Sequence, residues 1–115
     1  GDYVGQLTGG PDGRIWFTDS TENIIGQITS TGINEFKVPT PGAKPFGITT
    51  ASDGALWFTE SAKNKIGRLA LDGTFNEYTL PAGQSNPTGI TSGAPSCVPG
   101  TMYVIDSAGL VKVTF

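Results

Sequence analysis

The chain offers few residues that could perform acid–base or metal chemistry. Its 115 residues include ten aspartates and glutamates and a single cysteine, Cys97, but no histidine. An imidazole is the usual proton acceptor near neutral pH, and no nucleophile stands paired with a base. Zinc-ligand spacings and phosphate-binding loops are also absent from the sequence. Acid–base chemistry within these residues would therefore have to depend on carboxylates.

Three aspartates stand directly before a glycine, where a carboxylate can serve either a turn or a cation. These aspartates are Asp12, Asp53 and Asp72. Asp-Gly is a strong β-turn signal, because aspartate accepts local N–H groups and glycine tolerates positive φ. Turn formation explains the three residues better than Ca²⁺ ligation, so the sequence predicts no metal site. Cys97 lies in a Gly- and Pro-rich stretch and is expected to be a free thiol, with a bridge to another chain as the alternative.

The positions of these aspartates reflect an internal repeat. "DGRIWFTDS" at 12–20 returns as "DGALWFTES" at 53–61, and ten of 21 positions are identical between 12–32 and 53–73. Further matches follow at an offset of 42, namely "NEFKVP" at 34–39 with "NEYTLP" at 76–81, and "PFGIT" at 45–49 with "PTGIT" at 87–91. A degenerate third copy contains "TMYVIDS" at 101–107. A fixed period of this length indicates a repeat architecture.

Each repeat unit predicts four short antiparallel strands. In the second unit the candidate strands are 46–51, 55–60, 65–71 and 74–80. They are β-branched or aromatic runs separated by turn signals, and helical periodicity is absent. Four strands in about 42 residues are typical of a β-propeller blade, so the predicted class is all-β. A β-sandwich is the rival interpretation, but a sandwich has no reason to repeat its sequence.

The length of the chain corresponds to about 2.7 blades of 42 residues, whereas a closed propeller needs at least four. We therefore expect a partial propeller whose ring is completed by other copies of the chain or by another chain. The chain opens on Gly1 without a signal sequence, so we expect a processed product or a fragment. The expected divisions are 1–10 as the end of an incomplete blade, 11–44 and 45–86 as repeat units, and 87–115 as a degenerate third unit. Trp16 and Trp57 should fill the core between adjacent blades.

The charge pattern bears on partners. The net charge is -3 and the basic residues are scattered. The local trio Lys63, Lys65 and Arg68 is expected to be a solvated blade edge and not a phosphate-binding surface, so no nucleic-acid partner is predicted. No apolar run approaches the roughly 20 residues of a membrane helix, so no membrane partner is predicted either.

The repeat motifs resemble those of the virginiamycin B lyase (streptogramin lyase) family. The motifs are "DG-x-[IL]-WFT-[DE]-S", "N-x-IG-[QR]-[IL]" and "P-x-GIT". The resemblance implies a seven-bladed propeller that opens the ring ester of a cyclic depsipeptide antibiotic by elimination. Histidines, glutamates and Mg²⁺ would carry that reaction, with the histidines in consecutive copies of "P-H-[AG]-I".

Carried over by position, the two histidine slots fall on Phe46 and Thr88. The glutamate that ends "WFTE" matches Glu60, with Asp19 in the equivalent place one blade earlier. A second glutamate slot falls on Lys44 or Asn86, depending on the copy aligned. Glu60 is thus a weak catalytic candidate, expected to be a surface carboxylate of ordinary pKa. No cofactor is predicted, and Mg²⁺ is expected only if the lyase interpretation holds.

Three functions remain open. The first is a noncatalytic propeller segment acting as a scaffold or as a ligand- or partner-binding module, which the lack of histidine favours. The second is part of a Mg²⁺-dependent lyase whose catalytic histidines lie on blades outside this chain, which the resemblance favours. The third is a carbohydrate-binding propeller in which Trp16 and Trp57 hold sugars.

Overall fold

The computed structural model describes residues 5–51, 53–80, 87–92, 101–106 and 109–114, and all secondary structure in them is β. No helix in this part of the chain is long and apolar enough to cross a membrane. Cys97 and Asn86 lie outside the described residues. The strands are β1 (Leu7–Gly9), β2 (Ile15–Asp19), β3 (Ile24–Thr29), β4 (Gly32–Lys37), β5 (Pro45–Thr50), β6 (Leu56–Glu60), β7 (Lys65–Leu69), β8 (Phe75–Thr79), β9 (Gly89–Ser92), β10 (Thr101–Asp106) and β11 (Gly109–Thr114).

The strands form three antiparallel sheets in chain order. Sheet 1 contains β1 to β4, sheet 2 contains β5 to β8, and sheet 3 contains β9 to β11. Within each sheet every strand pairs with the next along the chain, as in a propeller blade. The Asp-Gly turns before β2 and β6 share one geometry, since Gly13 and Gly54 both have φ of 80°. The predicted all-β blades are confirmed, and the strands of sheet 2 agree with the sequence prediction to within two residues.

The first sheet begins earlier than expected. β1 lies within residues 1–10, which we expected to end a preceding blade, yet Leu7 of β1 pairs with Phe17 of β2. The physical reason is that sheets 1 and 2 contain the same hydrogen bond at this place. The N–H of Gln6 donates to the Thr18 hydroxyl just as the N–H of Gly47 donates to the hydroxyl of Thr59. Residues 5–9 are therefore the counterpart of 46–50, although their sequences have diverged.

Apolar cores fill the spaces between adjacent sheets. Between sheets 1 and 2 the buried residues are Trp16, Ile25, Val38, Ala43, Ile48, Leu56, Phe58 and Leu69. Between sheets 2 and 3 they are Ala51, Trp57, Ile66, Leu80 and Val104. The two tryptophans therefore occupy equivalent places, as the repeat predicted. On the face of sheet 2 that packs against sheet 1, Gly67 lies opposite Phe58. A Cβ at Gly67 would collide with the ring of Phe58, so the glycine leaves room for that ring.

Candidate functional site

The Asp-Gly-x-x-Trp motif is a hydrogen-bonded unit that anchors the inter-sheet tryptophan. Asp53 accepts the N–H of Ala55 at 3.0 Å, the indole Nε1 of Trp57 at 3.2 Å and the Nε of Arg68 at 2.9 Å. Burial opposes ionisation of Asp53, but these donors, with Arg68 foremost, lower its pKa. Since its oxygens are already occupied by protein donors, Asp53 serves the turn and the indole.

The same unit recurs in sheet 1 with an uncharged partner in place of arginine. Asp12 accepts the indole Nε1 of Trp16 at 3.0 Å and the Nε2 of Gln27 at 2.8 Å. In the third such turn Asp72 accepts the N–H of Thr74 at 2.9 Å. The described residues contain no group of three or more histidine, cysteine, aspartate or glutamate side chains that could hold a metal ion.

The basic trio of sheet 2 does not form one surface. Arg68 pairs with Asp53 at 2.9 Å across the blade edge. Lys65 is half-buried and directed toward two carboxyl groups, Glu60 and Glu77, whereas Lys63 is exposed. The trio is therefore dispersed among separate interactions.

The two histidine slots lie on neighbouring sheets, and the threonine of each "WFT" forms a hydrogen bond to the backbone of one slot residue. The Thr18 hydroxyl donates to the carbonyl oxygen of Phe46 at 2.6 Å, and the Thr59 hydroxyl donates to that of Thr88 at 3.0 Å. Phe46 is half-buried in β5, and Thr88 is exposed directly before β9. Gly5 occupies the corresponding place in sheet 1. The fold thus brings the slots into adjacent, equivalent positions, but none of the three residues carries a basic group.

Glu60 is not the surface carboxylate that the sequence suggested. Its side chain is 0% exposed at the end of β6, where it lies opposite Lys65 in the sheet register. Neither carboxyl oxygen has a hydrogen-bond partner among the described residues. Burial, and then the neighbouring Glu77 carboxyl, raise the pKa of Glu60 to about 8, while Lys65 acts in the opposite direction. The expectation of an ordinary pKa is therefore wrong, because this carboxyl is desolvated and faces another acid.

Glu77, which is half-buried, is the second acid of this pair, and sequence reasoning missed it. The hydroxyl of Thr40, in the connection between sheets 1 and 2, donates to Glu77 Oε2 at 2.6 Å. Burial opposes ionisation of Glu77, but the neighbouring Glu60 acid, the hydrogen bond from Thr40 and the charge of Lys65 lower its pKa. The raised pKa of Glu60 and the lowered pKa of Glu77 together describe a carboxylic acid, Glu60, beside a carboxylate, Glu77. The sequence signal was the second "NE" at 76–77, but it does not show that Glu77 reaches across β7.

Asp19, the equivalent of Glu60 in sheet 1, performs a different task. It is buried, and its Oδ1 accepts the N–H groups of Thr21 and Glu22, both at 3.0 Å. The shorter side chain therefore closes the turn between β2 and β3. Asp19 and Glu60 belong to separate sheets, so the fold does not combine them into one site.

Replacing Thr59 by valine should destabilise the junction between sheets 2 and 3. Valine keeps the shape of threonine but leaves the buried Gly47 N–H and the Thr88 carbonyl without their partner. We expect a loss of ~1–3 kcal/mol in the free energy of unfolding, measured by urea denaturation. Thr79→Val, at an exposed position of β8, is the matched control. Equal stability of the two variants would show that the Thr59 bridge contributes nothing.

The fold and these motifs match known proteins. The family model described as the virginiamycin B lyase family matches residues 3–113. A structure of selenomethionine-substituted virginiamycin B lyase from Staphylococcus aureus is 35% identical, with a TM-score of 0.77 over 96% of this chain and 41% of that chain. A streptogramin B lyase structure is 37% identical, with a TM-score of 0.75 over 95% of this chain and 39% of that chain.

A catalytically inactive histidine-to-alanine variant of the Staphylococcus aureus lyase, with quinupristin, is 36% identical at a TM-score of 0.76, covering 95% of this chain and 39% of that chain. Hydrazine synthase from Kuenenia stuttgartiensis, 17% identical at a TM-score of 0.64, shares the fold alone. No curated protein sequence matches the chain significantly. The chain spans about two fifths of the length of the solved lyases. Since the family model covers nearly all of its residues, the chain belongs to the virginiamycin B lyase family.

Proposed function

We propose that these 115 residues form a noncatalytic part of a streptogramin-lyase-like propeller, which builds the wall of the ring without supplying the catalytic base. The observation that carries this proposal is the pair Phe46 and Thr88 in the two histidine slots. A phenyl ring has no proton-accepting atom, and an unactivated hydroxyl is a poor base for a carbon-bound proton near pH 7.

The buried carboxyl pair supports the same proposal. Glu60 is the one residue that matches a catalytic position of the family, but burial raises its pKa to about 8, so that the protonated form predominates near neutral pH. Near neutral pH only a minor fraction of the chain therefore carries the ionised form that could accept a proton. Its oxygens are also closed to solvent, so a substrate cannot reach them without movement of the sheets.

The same residues do not fit Mg²⁺, which the family resemblance implies. Mg²⁺ requires about six oxygen ligands and usually retains several waters. The described residues around Glu60 form no group of three or more acidic, histidine or cysteine side chains, Glu60 is closed to solvent, and the Lys65 ammonium lies close enough to affect both acids. We therefore assign no metal-dependent step to this part of the chain.

A second candidate function is participation in a lyase whose histidines lie on other blades, and membership of the family favours it. In that case this segment would position the neighbouring blades, and Phe46 and Thr88 would line the ring beside them. Carbohydrate binding receives no support from the tryptophans. Trp16 and Trp57 are fully buried and their indole N–H groups are bound by aspartates, so no sugar can stack on them.

The test is incubation of the chain with a streptogramin B and Mg²⁺, followed by liquid chromatography and mass spectrometry. Elimination gives a linear isomer of unchanged mass but different retention, whereas hydrolysis adds one water. We expect no ring opening above background, because one missing general base already costs about 10²–10⁴-fold in rate. The double variant Phe46→His/Thr88→His places an imidazole in both histidine slots and is assayed beside the unmodified chain. Turnover by the unmodified chain that disappears in Glu60→Gln would contradict the proposal.

A further inference from the structure

The first strand of sheet 2 departs from regular pairing at the first histidine slot. The register between β5 and β6 shifts between Pro45 and Ile48, so that β5 has one residue more than β6 in this stretch. Phe46 and Gly47 therefore lie opposite the single residue Thr59, which is the arrangement of a β-bulge. Bulges interrupt the ladder of hydrogen bonds and change the direction of a side chain, and they are common next to functional sites.

Thr59 binds the backbone group that this bulge leaves unpaired and connects it to the next sheet. Its hydroxyl accepts the N–H of Gly47 at 2.9 Å and donates to the carbonyl oxygen of Thr88, the second histidine slot, at 3.0 Å. Because Thr59 is fully buried, water does not compete for either bond. One side chain thus joins the bulge of sheet 2 to the slot residue of sheet 3.

Gly47 is independent evidence that the Thr88 carbonyl is held at this point. A Cβ on Gly47 would collide with the carbonyl oxygen of Thr88 and would lie 3.3 Å from the Thr59 hydroxyl. Gly47 is not one of the glycines with positive φ, so its backbone conformation does not require glycine. The close approach of the next sheet therefore explains why the bulge contains a residue without a side chain.

The same connection joins sheet 1 to sheet 2. The Thr18 hydroxyl accepts the N–H of Gln6 at 2.9 Å and donates to the carbonyl oxygen of Phe46 at 2.6 Å. In sheet 3 the threonine position holds Ile105, which pairs with Gly89 and has no hydroxyl. Both histidine slots therefore have a threonine of the preceding sheet bound to their carbonyl oxygen.

We propose that the threonine of each "WFT" is a positioning residue for the slot of the following sheet, so that Thr18 fixes the backbone at Phe46 and Thr59 fixes it at Thr88. Both bonds of each threonine are to backbone atoms, so the slot keeps its place whichever side chain it carries. A ring wall built in this way can hold histidine in some slots and other residues elsewhere, with each side chain preorganised. The inference rests on the proposed function in treating the slots as part of a ring wall.

Nuclear magnetic resonance of the isotope-labelled chain tests the positioning role of Thr59. In Thr59→Val the Gly47 amide loses its acceptor, and the ¹³C resonance of the Thr88 carbonyl should move upfield as it loses its donor. We expect hydrogen exchange of the Gly47 amide to accelerate at least about tenfold more than that of Ile66, in the interior strand β7. General destabilisation accelerates both amides, so their ratio isolates the local loss. Thr59→Ser keeps the hydroxyl and should restore both signals.

Thr88→His tests whether the slot keeps its place when its side chain changes. Since Thr88 is exposed and only its backbone is bound, we expect exchange of the Gly47 amide to stay unchanged. The chain contains no other histidine, so the imidazole gives a single set of resonances. Adding Thr59→Val to this variant should lower the backbone order parameter of residue 88, because the slot is then no longer held.

Four results would overturn the proposal: an unprotected Gly47 amide in the unmodified chain, equal acceleration of both amides in Thr59→Val, no restoration by Thr59→Ser, or accelerated exchange in Thr88→His. If Thr59→Val does not fold, Thr18→Val gives the same measurement at the other junction, on the Gln6 amide and the Phe46 carbonyl. Ring opening by the unmodified chain would contradict the proposed function but would leave these resonances, and the positioning role, unaffected.

Discussion

Replacing Trp57 by alanine is expected to remove ~3–5 kcal/mol from the free energy of unfolding, the usual cost of emptying a large aromatic site. Trp57 is 0% exposed and lies in the core between sheets 2 and 3. Its ring stacks on Tyr78 with centroids 5.5 Å apart and an interplanar angle of 20°. Domains of this size have a total stability of about 5–15 kcal/mol, so the loss is a large share of the total. Urea denaturation followed by the fluorescence of Trp16 measures the loss.

Two further variants separate the causes of this effect. Trp57→Phe keeps most of the apolar contact but removes the N–H that Asp53 accepts, and should cost less than the alanine variant, with ~1 kcal/mol from the lost hydrogen bond. Tyr103→Ala, at the equivalent but half-buried position of sheet 3, should cost less than Trp57→Ala. If Trp57→Ala proved as stable as Trp57→Phe, the packing between sheets 2 and 3 would not be a main source of stability.

The features that the sequence predicted well are those that recur within each blade. Asp53, Trp57 and Thr59 all lie within seven residues. Asp53 closes a tight turn and accepts the indole N–H of Trp57, and the Thr59 hydroxyl donates to the edge of the next blade. Because the same contacts recur at Asp12, Trp16 and Thr18, selection leaves the same letters at the same spacing. The period therefore reveals both the blade and the buried position of the tryptophans.

The features that the sequence did not predict depend on contacts between distant segments. Glu60 meets Glu77 across an intervening strand, and Thr40 reaches Glu77 from the connection to the preceding sheet. In sheet 1 the counterpart of Glu77 is the exposed Glu35, so the repeat itself offered no hint of a buried pair. The stretch "GQLTGGPDG" resembles the tail of a copy whose start is missing, yet the N–H of Gln6 donates to a threonine hydroxyl just as the N–H of Gly47 does.

The buried pair gives the chain a stability that depends on pH. Unfolded Glu60 should ionise near pH 4.5, the ordinary pKa of a glutamate, whereas folded Glu60 retains its proton until about pH 8. The folded state therefore binds more protons between these values, and the free energy of unfolding falls as the pH rises from 4.5 to 8. Glu77, whose pKa is lowered, acts in the opposite sense and only below about pH 4.5. Stability should thus be greatest near the lower end of the 4.5–8 window.

Glu60→Gln should abolish the decline above pH 4.5. A glutamine amide is uncharged like the protonated acid but cannot ionise, so the variant and the unmodified chain should be similarly stable near pH 4.5. At pH 9 the variant should be more stable by ~2–4 kcal/mol, since one pKa unit corresponds to about 1.4 kcal/mol and the coupling between the two acids reduces the full difference. Urea denaturation at several pH values measures both slopes.

Glu35→Gln is the matched control, because this exposed residue occupies the Glu77 position in sheet 1 and its removal should leave the pH profile unchanged.

Thr40→Val tests the contribution of Glu77, the second acid of the pair. Without the Thr40 hydroxyl, the Glu77 carboxylate loses a donor and its pKa should rise, so the gain in stability that accompanies its ionisation should move to higher pH. A decline that persists in Glu60→Gln would mean that another group takes up the proton. A gain that shifts in Thr40→Val but not in Glu35→Gln would show that the connection between sheets 1 and 2 controls the ionisation of Glu77.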